Sequence, residues 1–230
     1  MSTRPVPVPE ACSWPYAVLT PRPLDHEDHL PLPADPLLRA HGTSQVALAR
    51  MRRCRHQLVL QSHAPTASAA AAARDTRIRA LELAARHDGV VLELLTPRVL
   101  ELTAADVSLA HATQWYVLDH LAALDGDLLT DGLAQFGLPE VRVRGVDDAS
   151  RGAVSAVVAG LVHRLVEEWP EHDPVGPATV TLRDVAFGLG DAQAAETPRE
   201  RSVDVTIEYV PDDHVLAVTL DDDPVATLFA

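Results

Sequence analysis

The chain has 230 residues, 47% hydrophobic and 23% charged, enough to bury a core in one large domain or two small ones. All 19 basic residues are arginine, a bias typical of a GC-rich bacterial genome, and 33 acidic residues bring the formal net charge to -14. Without lysine, the chain cannot form a phosphate-binding G-x-x-x-x-G-K-[ST] loop or a lysine Schiff base.

Proline dominates the first 36 residues. Because proline lacks a backbone N–H and biases the preceding residue to extended conformations, we predict an irregular or polyproline N-terminal arm over residues 1–36. The short apolar run Tyr16–Thr20 could add an edge strand. Residues 37–230 are predicted to form a single α+β domain, with residues 37–110 and 111–230 as possible sub-halves.

Four elements are predicted next, in the order helix 43–53, strand 56–62, helix 68–87 and strand 90–95. Thr43 or Ser44 can cap the first helix, because a hydroxyl at that position accepts a bond from a free backbone N–H. Ile78, Leu81 and Ala85 lie on one face of the second helix. Gly89 is placed to end that helix in a left-handed conformation.

The segment from Gln114 to Val146 has the densest pattern. It predicts a strand over 115–121, a turn at Asp125–Asp127, a short helix over 128–136 and a strand over 140–144. Gly137 is placed just past the end of the helix, and Pro139 prevents its continuation.

The last part of the chain contains the clearest helix, predicted over residues 150–169. Val154, Val158, Leu161, Leu165 and Trp169 form its apolar stripe, and His163 is expected on the opposite, solvent-exposed side. Three strands follow, over residues 179–185, 203–210 and 215–220. The last two flank a hairpin turn at 211–214.

This order of elements predicts an α+β fold. We expect helices packed on a largely antiparallel sheet, an arrangement that two ferredoxin-like halves would satisfy. A doubly wound α/β fold is the alternative.

Charge is divided unevenly along the chain. Residues 1–100 carry a net charge of +3 and residues 101–230 carry -17. A C-terminal half with this much negative charge should repel nucleic-acid phosphates and anionic lipids. We therefore expect neither nucleic acid nor a membrane surface as a partner. It is either a solvated surface or a docking face for a basic protein partner.

The sequence also bears on location. Cys12 and Cys54 cannot form a disulfide framework, and Pro5, Pro7 and Pro9 interrupt any signal-peptide pattern. No apolar run approaches the roughly 20 residues that span a bilayer. We therefore expect a cytoplasmic protein.

Seven residues of the central segment form a pattern: Thr130, Gly132, Leu133, Phe136, Gly137, Pro139 and Glu140. This Thr-x-Gly-Leu-x-x-Phe-Gly-x-Pro-Glu run resembles a bacterial family classified as a domain of unknown function. The resemblance covers eleven residues, with a looser similarity in element order over about residues 57–220. It implies an α+β domain and no established activity. Thr130 and Glu140 have no obvious structural role in the pattern, although Thr130 could cap a helix and Glu140 could begin an edge strand.

Motifs that carry chemistry are hard to find. His26 and His29, in the run Asp25–His29, have spacing that suits adventitious Zn²⁺ or Ni²⁺, but the flanking prolines argue against a preorganised site. Three arginines beside Cys54 could lower its pKa, yet a half-buried structural cysteine is the better interpretation. We assign no catalytic, cofactor-binding or metal-ligating residue, and expect no cofactor.

The leading hypothesis is a non-enzymatic protein–protein interaction module. Two alternatives stay open: a hydrolase-like enzyme with an unrecognised site near the central segment, and an acidic immunity or inhibitor protein that binds a basic partner. The candidate interaction or pocket residues are Thr130, Asp131 and Glu140.

Overall fold

The structure is a computed structural model that describes residues 5–119, 122 and 126–229. Its helices and strands form an α+β fold, as the sequence predicts. The chain divides into two compact units, which we call the N-terminal unit (Glu10–Val107) and the C-terminal unit (Met1–Pro9 with Ser108–Ala230). Each contains one sheet.

The sheet of the N-terminal unit has four antiparallel strands in the order β2-β1-β3-β4. They are β1 (Ala11–Thr20), β2 (His56–Pro65), β3 (Val90–Glu93) and β4 (Arg98–Val99). Three helices accompany them: α1 (Asp35–Ala40), α2 (Gln45–Met51) and α3 (Ala69–Arg86). Ser44 caps α2 by accepting a hydrogen bond from the Ala47 N–H, as predicted.

The prediction of an irregular N-terminal arm is wrong for Ala11–Pro15, and the possible strand Tyr16–Thr20 is a strand but not an edge strand. These residues form β1, which lies between β2 and β3 rather than at an edge. Pro15 is tolerated there because its missing N–H faces the β3 side, just beyond Glu93, where β3 ends. Its carbonyl still accepts from the Leu94 N–H at 3.3 Å, and the β1–β2 ladder loses no bond. Composition alone missed a strand whose one interior proline falls at a harmless place in the ladder.

The two faces of this sheet pack against different helices. On one face Ala17 and Leu19 join a buried cluster with Leu38 of α1 and Leu48 of α2. On the other, the hydroxyl of Tyr16 accepts a hydrogen bond from Arg77 of α3.

A buried charge network lies on the α3 face. Arg77, whose side chain is fully buried, donates to Glu93 at 2.5 Å, and Arg98 donates to the other Glu93 oxygen at 2.8 Å. Burial raises the pKa of Tyr16 to about 12. Since each charge has an opposite charge beside it, the network can stay buried.

Gly89 does not end α3 in a left-handed conformation. That role belongs to Asp88, whose φ is 55°. Gly89 is needed for another reason: a Cβ there would collide with the Leu19 carbonyl of β1.

The sheet of the C-terminal unit has six strands in the order β5-β6-β7-β10-β9-β8, with β7 and β10 parallel and the other pairs antiparallel. The strands are β5 (Val117–Leu118), β6 (Leu128–Asp131), β7 (Glu140–Val143), β8 (Gly176–Thr181), β9 (Ser202–Val210) and β10 (Val215–Leu220). Its helices are α4 (Arg151–Glu168), α5 (Leu182–Leu189) and α6 (Pro224–Leu228). The strand orders of the two units differ, so two ferredoxin-like halves are not confirmed.

The predicted helix over residues 128–136 is wrong in its first half. Leu128–Asp131 is strand β6, and only Leu133–Phe136 turns, as a short 3₁₀ helix. Gly137 ends it in the left-handed conformation, as predicted. Leu129, Leu133 and Phe136 fit a helical face by spacing, but Gly132 separates the two elements. Of the predicted strand 115–121, Val117–Leu118 is strand; residues 120, 121 and 125 lie outside the described part of the chain.

The predicted strand over residues 179–185 is also shorter than expected. β8 ends at Thr181, whose hydroxyl caps α5 while Asp184 bonds back to the Thr181 N–H at 2.8 Å. This reciprocal capping box starts a helix that the strand interpretation missed.

Helix α5 explains why His163 is buried, contrary to expectation. The His163 ring lies 5.2 Å from the ring of Phe187 of α5, and its Nε2 atom lies 3.8 Å from the Glu167 carboxylate. The two helices approach closely because Gly160 and Gly188 lie at the crossing: a Cβ on Gly160 would be 2.7 Å from the Val185 nitrogen. No helix among the described residues has the length and apolar character to cross a membrane.

Candidate functional site

The sequence-predicted residues Thr130, Asp131 and Glu140 come together where β6 and β7 meet the 3₁₀ helix. The Thr130 hydroxyl donates to Glu140 Oε2 at 2.6 Å and accepts from the Val141 N–H at 2.8 Å. Thr130 is almost completely buried. Both of these bonds are internal to the sheet.

The other oxygen of Glu140 faces the start of the 3₁₀ helix. Oε1 accepts from the backbone N–H groups of Gly132 at 3.0 Å, Leu133 at 2.8 Å and Ala134 at 3.3 Å. These are the N–H groups that the first turn of a helix leaves without an internal acceptor. Glu140 therefore works as a remote cap, supplied from the next strand instead of the preceding residue.

Two effects compete at the Glu140 carboxyl. Burial raises its pKa above the usual 4.5, the bonds from Thr130 and the backbone act in the opposite direction, and the nearby charge of Asp131 adds to the rise. Asp131, half-buried at the end of β6, contributes to this site electrostatically. Chemically, the arrangement fixes a carboxylate and holds the loop between β6 and β7 against it.

Three cavities in the described part of the chain lie elsewhere. One of about 600 Å³ is lined by α4, β8 and β9; the others, of about 310 and 350 Å³, lie beside α2 and beside β10. None of these three has Thr130, Asp131 or Glu140 in its wall. The sequence-predicted residues thus stand apart from these concave surfaces.

The histidine-rich run Asp25–His29 lies beside β2. Glu27 pairs with His56 at 2.8 Å, and the Asp28 carboxylate accepts from the Val59 N–H at 2.8 Å. Two carboxylates of the run therefore attach it to the strand. Within residues 5–119, 122 and 126–229, no three His, Cys, Asp or Glu side chains are grouped to hold a metal ion.

Neither cysteine has the environment of a nucleophile. Cys12 is buried and Cys54 half-buried, and burial is the main cause that raises the pKa of each thiol. The arginines near Cys54 act in the opposite direction but are outweighed.

Sequence reasoning missed a second surface, on the six-stranded sheet. In β9, Val203, Val205 and Ile207 are buried, while Asp204 and Glu208 between them are exposed. The Thr179 hydroxyl donates to Asp204 at 2.7 Å, and the Thr206 hydroxyl donates to Asp221 at 3.4 Å. We call this surface the acidic sheet face; its members are Thr179, Asp204, Thr206, Glu208 and Asp221.

The acidic sheet face had a signal in the sequence. The run Ser202–Val210 alternates apolar with polar residues at the period of a strand with one buried face, and two of its polar positions are carboxylates. That alternation predicts the strand, but the surface also needs β8 and β10, which only the strand order places beside it.

The division into units sharpens the charge asymmetry. The N-terminal unit contains 11 arginines and 11 acidic residues, whereas the C-terminal unit contains 8 arginines and 22 acidic residues. The whole formal net charge of -14 therefore belongs to the unit that presents the acidic sheet face.

No protein-family model, curated protein or solved structure matches this chain. The similarity of Thr130–Glu140 to a domain of unknown function stays a prediction from the sequence.

Proposed function

We propose that this protein is a non-enzymatic protein–protein interaction module that binds a basic protein partner through the acidic sheet face. The observation that carries the proposal is the exposure of Asp204, Glu208 and Asp221 on the side of the sheet opposite buried Val203, Val205 and Ile207. A sheet with one buried and one open face offers a broad, firmly held surface.

The carboxylates of this face keep their charge available. Asp204 and Asp221 accept hydrogen bonds from threonine hydroxyls, which orient a carboxylate without neutralising it. At the margin, by contrast, Asp213 forms an ion pair with Arg142 at 2.6 Å. A cationic partner would therefore meet negative charge at the centre of the face.

The surrounding unit adds a field of the same sign. With 22 acidic residues against 8 arginines, the C-terminal unit attracts cations over a range of about 8–10 Å at physiological ionic strength. Such a field accelerates encounter with a basic protein and repels phosphate backbones. The acidic field therefore supports one kind of interaction module in particular, an immunity or inhibitor protein that binds a basic partner.

The position of Glu140 also favours binding over hydrolysis. The hydrolase-like alternative relies on acids of the central segment, yet both Glu140 oxygens already accept hydrogen bonds from Thr130 and the backbone. A general base needs an oxygen within reach of the substrate proton. The hydrogen bonds of Glu140 therefore favour a structural role, in which it holds the start of the 3₁₀ helix against the sheet.

The proposal can be tested with a labelled oligoarginine peptide and fluorescence anisotropy. The face variant Asp204→Asn/Glu208→Gln/Asp221→Asn should bind the peptide about tenfold more weakly than the native protein, since each close charge contact contributes a fraction of the roughly 1.4 kcal/mol that a tenfold change requires. High salt should weaken native binding.

A matched control keeps the net charge of the variant. Glu171→Gln/Glu196→Gln/Glu200→Gln removes three exposed carboxylates of the same unit away from the acidic sheet face. It should retain most of the affinity. Equal losses in the two variants would reduce the effect to net charge and overturn the assignment to this face.

A further inference from the structure

The outer edge of β2 has hydrogen-bonding groups that point away from its own sheet. Because the Pro15 carbonyl of β1 faces β3, the even-numbered residues of β1 face β2, and their partners in β2 are also even-numbered. The odd-numbered residues of β2 therefore direct their N–H and C=O groups outward. Gln57, Val59, Gln61, His63 and Pro65 form this row.

The run near Asp28 covers only the first part of the row. The Asp28 N–H donates to the Gln57 carbonyl and its carboxylate accepts from the Val59 N–H, both at 2.8 Å. Gln61 and His63, further along, are exposed, and no described main-chain group bonds to their outward N–H and C=O. Pro65 ends the row without a donor.

The other sheet edges of the described chain are short or blocked. β4 and β5 have two residues each. On the edge of β8, Pro177 has no N–H, and the Thr179 carbonyl accepts from Arg164 at 2.5 Å. These are common protections against strand addition, and Gln61–His63 lacks them.

We propose that this edge binds a second copy of the chain, joining two β2 strands antiparallel about a two-fold axis at Ser62. In this register Gln61 of one copy exchanges both main-chain hydrogen bonds with His63 of the second copy, and the reverse pair does the same. Val59 lies opposite Pro65 of the second copy. The Val59 N–H already donates to Asp28, and Pro65 has no N–H. The unpaired main-chain groups of Gln61 and His63 in one copy thus bond to those of His63 and Gln61 in the other. The pairing ends at Val59 and Pro65, where no further N–H is available.

Charge permits this self-pairing. Residues 57–65 contain no Asp, Glu or Arg, so the paired strands themselves place no like charges opposite each other. Arg79 donates to the Ser62 hydroxyl at 2.6 Å, so salt would screen the repulsion between the Arg79 side chains of the two copies. The N-terminal unit has equal numbers of arginines and acidic residues, and the net charge of each copy lies in the other unit. Raising the salt concentration should therefore strengthen the dimer or leave it unchanged, whereas binding of a basic partner weakens.

The test is sedimentation equilibrium of the full chain and of edge variants over a range of protein concentrations. Gln61→Pro removes an outward N–H that the β1–β2 ladder does not use, and should weaken the dimer at least about tenfold. Gln61→Ala keeps the main chain and should leave the dissociation constant within about threefold.

A second variant guards against a proline that disturbs folding. Gln61→Glu/His63→Glu leaves the backbone unchanged and brings carboxylates of the two copies face to face, so it should also weaken the dimer. A native protein that stays monomeric at high concentration, or dimers that both variants leave intact, would overturn the proposal. A monomer that binds oligoarginine would contradict only the dimer.

Discussion

Glu140 illustrates how one half-buried side chain can hold a loop in place. Its two oxygens serve different elements: one accepts from Thr130 within the sheet, and the other accepts from backbone N–H groups at the start of the 3₁₀ helix. Removing the side chain would leave those donors buried without an acceptor, at a cost of roughly 1–3 kcal/mol for the group. The residue is thus essential to the local fold without needing a ligand.

The raised pKa of Glu140 sets the sign of a pH effect. Because its pKa in the folded protein lies above the unfolded value, its stabilising contribution is complete below the usual value of 4.5. It is lost as the pH rises through the folded pKa. The Glu140→Gln variant has no such titration, so the native free energy of unfolding should fall relative to that of the variant over this window.

Urea unfolding of both proteins at a series of pH values measures the difference. Glu140→Ala serves as the control, because it should be destabilised by about 2 kcal/mol or more at every pH. A native-minus-glutamine difference that grows with rising pH would show that the hydrogen bonds outweigh burial and would reverse the assigned direction.

At the scale of elements, the crossing of α4 and α5 depends on two glycines. A Cβ on Gly188 would collide with the Ala159 carbonyl, and one on Gly160 would approach the Val185 backbone. The close contact lets Phe187 of α5 pack against the ring of His163. A helix pair without glycine at these places would have to move apart.

A glycine-to-alanine substitution should have opposite effects at the crossing and away from it. Gly188→Ala should destabilise the protein by about 1–3 kcal/mol, because the added methyl group has no room. Gly152→Ala, in the first turn of α4 with nothing within 4 Å of the new Cβ, should be neutral or stabilise by up to about 1 kcal/mol. Thermal unfolding monitored by circular dichroism gives both values; similar shifts in the two variants would contradict the crossing geometry.

Local patterns predicted some elements well and others poorly. Helix α4 and strands β9 and β10 were predictable because the period of their apolar residues agrees with the turn and breaker residues that bound them. Strand β1 was not, since its proline count says nothing about which ladder positions need a donor. The start of α5 was not predictable from the strand pattern, because the β-branched residues Thr179, Val180 and Thr181 continue up to the capping box of Thr181 and Asp184.

The candidate residues show a different limit. Thr130 and Glu140 stood out in the sequence because no local structural role was visible for them. Their role proved non-local: it joins residues six to eleven positions apart across a strand pair. The acidic sheet face combines β8, β9 and β10, and its assembly required the strand order.

At the scale of the whole molecule, the two units differ most clearly in their net charge. One unit is formally neutral and has the open β2 edge, and the other carries the net charge of -14 and the acidic sheet face. The two proposals therefore rest on different units, and only the binding of a basic partner should weaken as the salt concentration rises. A protein of this kind would combine self-association with capture of a basic partner.

The central claim, that the acidic sheet face binds a basic partner, is tested most directly by mapping where an oligoarginine peptide binds. Backbone amide chemical shifts of the isotope-labelled protein should change most in β8, in β9 from Asp204 to Glu208, and in β10 up to Asp221. Changes concentrated in Glu10–Val107, or spread evenly over all acidic surfaces, would contradict the claim.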